Sequence, residues 1–255
     1  MSFANRTAVI TGASSGIGRS LAKALAAQGA RVGVLGRRVH LLEELVREVR
    51  EAGGTIEFAA ADITDREKVL SAIRGFAEKL GPVDLLIANA GVGYPTGADP
   101  MNVPAVEHMT KVNFLGVVYA FEAVMEAMLQ RGAGHLVAIS SLAAYKGLPG
   151  AAAYCATKAA VKNYCEALRI ELRDRGVAVT CVCPGFIATA MTEKNEHPMP
   201  FLMSADAGAQ RILRALARRK KVYDFPWPMR VLMWMSRWAP DRFIAKRVPV
   251  QKNKN

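Results

Sequence analysis

Tyr154 and Lys158, in Tyr154-Cys155-Ala156-Thr157-Lys158, are four residues apart, and Ala159, Val161, Tyr164, Leu168 and Leu172 continue the run at helical spacing. That spacing puts the phenol and the ammonium on one helix face. A phenol ordinarily loses its proton near pH 10; a neighbouring ammonium stabilises the phenolate and brings the exchange closer to neutrality. Such a tyrosine can give a proton to a reacting oxygen or take one from it. The pair alone carries little weight, because Tyr-x-x-x-Lys arises by chance on many helices. It gains weight from Ser140-Ser141 at the end of one apolar run and Asn89-Ala90-Gly91 at the end of another.

A second constellation could hold an anion. Thr11-Gly12-Ala13-Ser14-Ser15-Gly16-Ile17-Gly18 leaves a β-rich run and enters a segment with Leu21 and Leu25 at helical spacing. Gly12 allows a tight exit from the strand, Gly16 lets backbone approach a pyrophosphate, and Gly18 allows close helix packing. The helix N-terminus then faces the anion. Dinucleotide sites usually carry an acid about 20 residues further on, for the ribose hydroxyls. Here the chain reads Gly36-Arg37-Arg38. Two guanidiniums in that place match a 2′-phosphate and predict NADP(H) over NAD(H). Ser15, instead of a second base, precedes Gly16, which predicts a moderate preference.

The elements that must position these residues alternate strictly. Short β-rich runs at 7–11, 31–35, 55–59, 83–88, 136–140 and 177–183 are separated by helical stretches. Several runs are apolar on both faces, such as Leu136, Val137, Ala138 and Ile139. A parallel sheet covered by helices on both faces follows, and right-handed crossovers make it doubly wound. The 255 residues, 51% hydrophobic and 22% charged, suit one α/β domain. Mean hydropathy is only +0.13, and residues 1–6 are too short and polar for a signal peptide. Cys155, Cys165, Cys181 and Cys183 have apolar neighbours and read as buried thiols of a reducing, cytoplasmic setting. Neither they nor the four histidines show metal-ligand spacing.

Together and in order, Thr11 to Gly18, Asn89 to Gly91, Ser141 with Tyr154 and Lys158, and Pro184-Gly185 resemble the compact branch of the short-chain dehydrogenase/reductase family, over residues 6 to about 220. The resemblance implies a Rossmann fold and an NADP(H)-linked oxidoreductase that interconverts a carbonyl and an alcohol. It implies Tyr154 as general acid or base, Ser141 (before Ser140) as the hydroxyl holding the substrate oxygen, and Lys158 as the group that lowers the tyrosine pKa and bonds the nicotinamide ribose. Asn113, in Lys111-Val112-Asn113, matches a residue that orders a relay water. Asp62 and Ile63 would flank the adenine; Asn89, Ile187 and Thr189 match cofactor contacts. A homodimer or homotetramer is implied too.

Residues 1–221 are expected to form the catalytic domain, with 190–203 as a loop over the substrate. Met191, Pro198, Met199, Pro200, Phe201, Leu202 and Met203 make that loop apolar and point to a lipophilic substrate: a steroid, a fatty acyl derivative or a related lipid. Residues 222–255 read as a basic extension rich in Trp and Met. Residues 211–255 hold 13 Lys and Arg against 2 Asp and Glu, leaving the rest nearly balanced. This local surplus, with Trp227, Trp234 and Trp238, fits peripheral membrane contact, an oligomer contact or a cover over the active site. No nucleic-acid reading motif accompanies it. Two other function classes remain open: a nucleotide-sensing module without turnover, and a membrane-surface interaction protein.

Overall fold

The computed structural model describes residues 2–193 and 198–247. Positions 194–197 of the expected substrate loop and 248–255 of the expected extension lie outside the described residues.

Alternation of apolar side chains along each strand builds a sheet with two buried faces. In β1 (Thr7–Thr11), Val9 enters one core layer while Ala8 and Ile10 enter the other. β4 (Val83–Ala88) divides in the same way, with Leu86 and Ala88 on one side and Leu85 and Ile87 on the other. β2 (Arg31–Gly36), β3 (Thr55–Ala60), β5 (Gly134–Ile139) and β6 (Val177–Pro184) complete the six expected strands. Each Leu or Ile so buried contributes about 1.5–3 kcal/mol relative to exposure.

Helices cover both faces. α1 (Gly16–Ala26), α2 (Val39–Glu51) and α7 (Ala205–Ala217) supply Leu21, Leu25, Leu42, Leu45, Ile212 and Leu213 to one layer. α3 (Arg66–Leu80), α5 (Gly116–Arg131) and α6 (Ala152–Glu171) supply Ile73, Phe76, Phe121, Met128 and Val161 to the opposite layer. α4 (Val103–Thr110) runs into α5 through a π-helical turn, Lys111–Leu115. The stretch Val103–Arg131 is long and apolar enough to cross a membrane, yet Val117, Ala120, Phe121, Val124 and Met128 are buried against the sheet.

With β9 spanning Val222–Phe225, the sheet order is β3-β2-β1-β4-β5-β6-β9, every pairing parallel. The chain therefore reverses direction across the sheet between β1 and β4, where this architecture opens a crevice beyond the carboxyl ends of the strands. β5 starts and ends earlier than the sequence suggests, so Ser140 lies just past it. The seventh strand, β9 (Val222–Phe225), corrects the expected boundary at 221. Val222 to Phe225 pair with Cys181 to Pro184, so these residues belong to the domain. Four residues behind a basic run carry too little period-2 signal to be read as a strand, but Phe225 is buried and stacks on Tyr223. β7 (Ile187–Ala188) and β8 (Met203–Ser204) pair and frame the loop between them. α8 (Trp227–Ser236) and α9 (Asp241–Arg247) follow β9.

If β9 is part of the core, Phe225→Ala should destabilise the fold by about 3–5 kcal/mol. Urea unfolding measures this, and a loss below about 0.5 kcal/mol would return the strand to a dispensable tail.

Candidate active site

Because every strand is parallel, the residues that follow their carboxyl ends gather on one edge of the sheet. They are the glycine turn after β1, Arg37 and Arg38 after β2, Asp62 after β3, Asn89 after β4, Ser141 after β5, and Gly185 after β6.

The glycine turn has the geometry of a cradle. Gly12 and Gly16 have φ of +69° and +56°, a region that other residues adopt only with strain. A Cβ on Gly12 would lie 2.6 Å from the Ala90 Cα, and one on Gly16 2.8 Å from the Thr189 methyl. Gly18 abuts the Asn89 amide and the Gly12 carbonyl, so its close packing is to the turn itself. Ser15, at the head of α1, makes no side-chain cap; its hydroxyl instead accepts from Arg38 at 2.7 Å. Arg38 also donates to the Ser14 hydroxyl at 2.8 and 3.1 Å. Ile17 packs partly buried on the core below. The uncapped helix start and the guanidinium over Ser14 and Ser15 suit a phosphate-bearing ligand. These groups fit a dinucleotide by chemistry as well as by shape.

Arg37 bridges to Asp62 at 3.2 Å. Burial raises the Asp62 pKa, but the Thr64 N–H and hydroxyl and the Arg37 guanidinium outweigh it and hold the carboxyl below its usual value. Ile63 turns its side chain into the core against Gly116, leaving only its backbone toward the crevice. Ile187 is likewise buried, under Gly208 of α7.

Asn89 ties β4 to β1: its amide donates to the carbonyls of Thr11 and Gly12 at 3.0 and 3.1 Å. Thr11 answers, its hydroxyl accepting from the N–H groups of Asn89 and Ala90, both at 3.1 Å. This buried hydroxyl escaped the sequence reading; a Thr directly before the first glycine was the available signal.

Ser141, Tyr154 and Lys158 come together. The Ser141 hydroxyl, which accepts from the Ala143 N–H at 3.1 Å, lies close enough to the Tyr154 phenol to pull its pKa down. Ser140 faces the other way, its buried hydroxyl donating to the Lys158 carbonyl at 2.7 Å. The Lys158 ammonium donates to the Ile139 carbonyl at 3.0 Å and lies 5.7 Å from the centre of the Tyr154 ring. Gly91 lies between them and Asn113: a Cβ there would be 3.3 Å from the ammonium and 3.4 Å from Asn113 Oδ1.

The electrostatics differ from expectation. The crevice wall desolvates Tyr154 and pushes its phenol above the ordinary value, while the Ser141 hydroxyl, not Lys158, pulls it down. Burial also lowers Lys158, to about 8. Burial outweighs any stabilisation of the phenolate, so the ammonium, itself bonded to the Ile139 carbonyl, does not bring the phenol below its ordinary value.

Asn113 sits in the π-helical turn, a local break in the α-helical ladder that often marks functional positions. Its Oδ1 accepts from the Val92 N–H at 2.8 Å. Its amide donates to the Val92 carbonyl at 2.9 Å and the Thr157 hydroxyl at 3.1 Å. Thr157 in turn donates to the Tyr154 carbonyl at 2.9 Å. The side chain thus clamps the β4 loop to the first turn of α6, where the resemblance implied a water-ordering group. Thr157 and Val92, partners in this clamp, carried no motif of their own.

Pro184 ends β6, and the Gly185 N–H donates to the Phe225 carbonyl at 2.7 Å. The loop after β7 brings Met191 beside the Tyr154 ring: a Cβ on Gly93 would lie 3.5 Å from both the Met191 sulfur and Tyr154 Cδ2. Phe201 and Leu202 are exposed on the same loop.

Comparison with known proteins agrees with this geometry. A family model described as short chain dehydrogenase matches residues 6–200. An uncharacterized oxidoreductase of Myxococcus xanthus is 41% identical over 236 residues, covering 92% of this chain and 93% of the relative. An actinorhodin polyketide ketoreductase variant solved with NADPH is 26% identical, with a TM-score of 0.81 over 88% of this chain and 97% of its own. An alcohol dehydrogenase from Thermococcus sibiricus solved with 5-hydroxy-NADP is 28% identical, with a TM-score of 0.77 over 86% of this chain and 94% of its own. Sheet order, cradle and matched sequence agree in making this chain an oxidoreductase of the short-chain dehydrogenase family.

Proposed function

We propose that the chain is an NADP(H)-preferring oxidoreductase that interconverts a carbonyl and an alcohol on a lipophilic substrate. The observation that carries this reading is the Ser141–Tyr154 hydroxyl pair beside the buried Lys158 and the glycine cradle. When bound, the nicotinamide supplies or accepts the hydride. The chain's own groups manage the oxygen. Ser141 donates a hydrogen bond to it, and Tyr154 delivers a proton as negative charge develops there. A phenol raised above its ordinary value is held protonated at neutral pH, which is the form that reduction requires. Lys158, with one donor given to Ile139, keeps two more for a ribose hydroxyl.

Arg38 over Ser14 and Ser15 supports the 2′-phosphate preference. So do the cofactors bound by the ketoreductase and the alcohol dehydrogenase. Asp62 beside Arg37 neutralises part of that charge, in keeping with a moderate preference. Met191 beside the tyrosine, with Phe201 and Leu202 on its loop, supports an apolar substrate. A second copy of the chain fits the outer faces of the π-helical turn, α5 and α6, where Phe114, Tyr119, Tyr164 and Leu168 are only partly covered.

Tyr154→Phe should lower kcat for carbonyl reduction by about 10²–10⁴-fold while leaving the Kd for NADPH within about twofold. Turnover near the parent rate in a steady-state assay would sink the mechanism. Arg38→Ala should weaken NADPH binding by about 10- to 100-fold, the effect of a hydrogen bond to a charged group, and leave NADH nearly untouched. Equal losses for both dinucleotides would place the phosphate elsewhere. Since Lys158 titrates at about 8 and the phenol higher, kcat/KM for reduction should fall as pH rises through about 8. The residual activity of Lys158→Met should lack that limb; finding it intact would assign the limb to another group.

A further inference from the structure

α8 is apolar on two opposite sides. Met229 and Met233, one turn apart, are buried in the core layer and anchor the helix. Facing outward, Trp227, Val231 and Trp234 follow at spacings of four and three and form a stripe, and Trp238 lies in the turn just beyond the helix. They are 73%, 44%, 59% and 80% exposed, with Leu232 and Met235 beside them at 55% and 60%. A helix of this composition is normally covered all round, and an exposed patch of this kind marks an interaction surface. Arg230 and Arg237, seven residues apart and both exposed, flank the stripe. Residues 226–255 hold seven Lys and Arg against one acid, Asp241.

Topology fixes where this surface lies. Phe225 pairs in register with Pro184 in the parallel sheet, so α8 begins at the same edge as Ser141 and Asn89. α8 packs on the 3-10 turn Leu142–Tyr145 that follows Ser141, and Lys146 reaches Asp241 of α9 at 3.5 Å. Loops leaving β4 and β6 expose Tyr94, Met101, Phe201 and Leu202 at that edge too.

We propose that the outward face of α8 is a docking surface for an anionic phospholipid bilayer. Tryptophans have an apolar ring and a polar N–H suited to the headgroup boundary, and arginines at the rim pair with lipid phosphates. Charge favours this occupant over a second copy of the chain: Arg230 and Arg237 would meet a face whose acids are Asp224, already bonded to Tyr145, and Asp241, whereas an anionic bilayer offers phosphates throughout. A bilayer seated there faces the mouth of the catalytic crevice. The surface shares no residue with the proton-transfer groups, so vesicle binding and turnover fail independently.

The test is co-sedimentation of the full chain with phosphatidylcholine vesicles, with and without one third phosphatidylglycerol. Tryptophan fluorescence and light-scattering mass are recorded in parallel. Binding should require the anionic lipid and blue-shift the emission. It should weaken sharply between about 0.1 M and about 1 M salt, where the Debye length shortens from about 10 Å to about 3 Å. Trp234→Ser with Trp238→Ser should abolish most binding, and Arg230→Gln with Arg237→Gln should weaken it more than tenfold, at about fivefold per charge. Both variants change exposed positions and should keep the parent circular dichroism. Three outcomes overturn the proposal: no vesicle binding, binding that neither variant alters, or a dimer that the tryptophan variant dissociates.

Discussion

Two hydrogen bonds of opposite sense lock the start of α6 to the end of β5, and the catalytic edge depends on them. The Ser140 hydroxyl donates to the Lys158 carbonyl at 2.7 Å, and the Lys158 ammonium donates to the Ile139 carbonyl at 3.0 Å. A helix held by both its backbone and its side chain to Ile139, the last residue of β5, and to Ser140 just past it can neither slide nor turn without losing one bond. Ser141 follows Ser140 in the chain, and Tyr154 precedes Lys158 by one turn, so this lock sets the two reactive hydroxyls opposite each other. The arrangement has an electrostatic consequence. An ammonium 4% exposed is disfavoured in its charged form, and its pKa falls to about 8.

Around the lock, buried polar groups each join two elements. Thr11 and Asn89 fasten β1 to β4 by exchanging bonds across the point where the chain reverses direction. Asn113 does the same for the β4 loop and α6, through Val92 and Thr157. A satisfied network of this kind is rigid, because breaking any member strands a desolvated partner. Rigidity suits a site that must hold a hydroxyl pair ready before charge develops.

The alternation of strand and helix and the glycine turn were legible in the sequence, since period and glycine placement are local properties, whereas Ser141, rather than Ser140, was joined to Tyr154 and Lys158 only through the family resemblance. β9 was not: its four residues are a strand only because β6 offers them a parallel edge, and no local signal records that offer. The roles within the site were legible by type more than by direction. Lys158 was expected to lower the phenol, but whether it does so depends on desolvation and on the Ile139 carbonyl, both products of tertiary packing. Asn113 was found as a residue, whereas its partners Val92 and Thr157 are set by the π-helical turn, which sequence periodicity does not reveal.

The edge is ordered as well as assembled. Across the order β3-β2-β1-β4-β5-β6-β9, Arg37 and Arg38 follow β2 at one end, the uncapped start of α1 comes next, and the hydroxyl pair lies in the middle beyond β5. Past them come Met191 on the loop after β6 and the exposed tryptophans of α8 after β9. Guanidiniums therefore stand at both ends of this line, Arg37 and Arg38 at one and Arg230 and Arg237 beside the exposed tryptophans at the other. A ligand with anionic phosphates meets guanidiniums beyond β2, where charge-assisted hydrogen bonds can hold it. The same parallel sheet dictates all of these positions, since each follows the carboxyl end of its strand. A doubly wound parallel sheet sets that geometry before any side chain refines it.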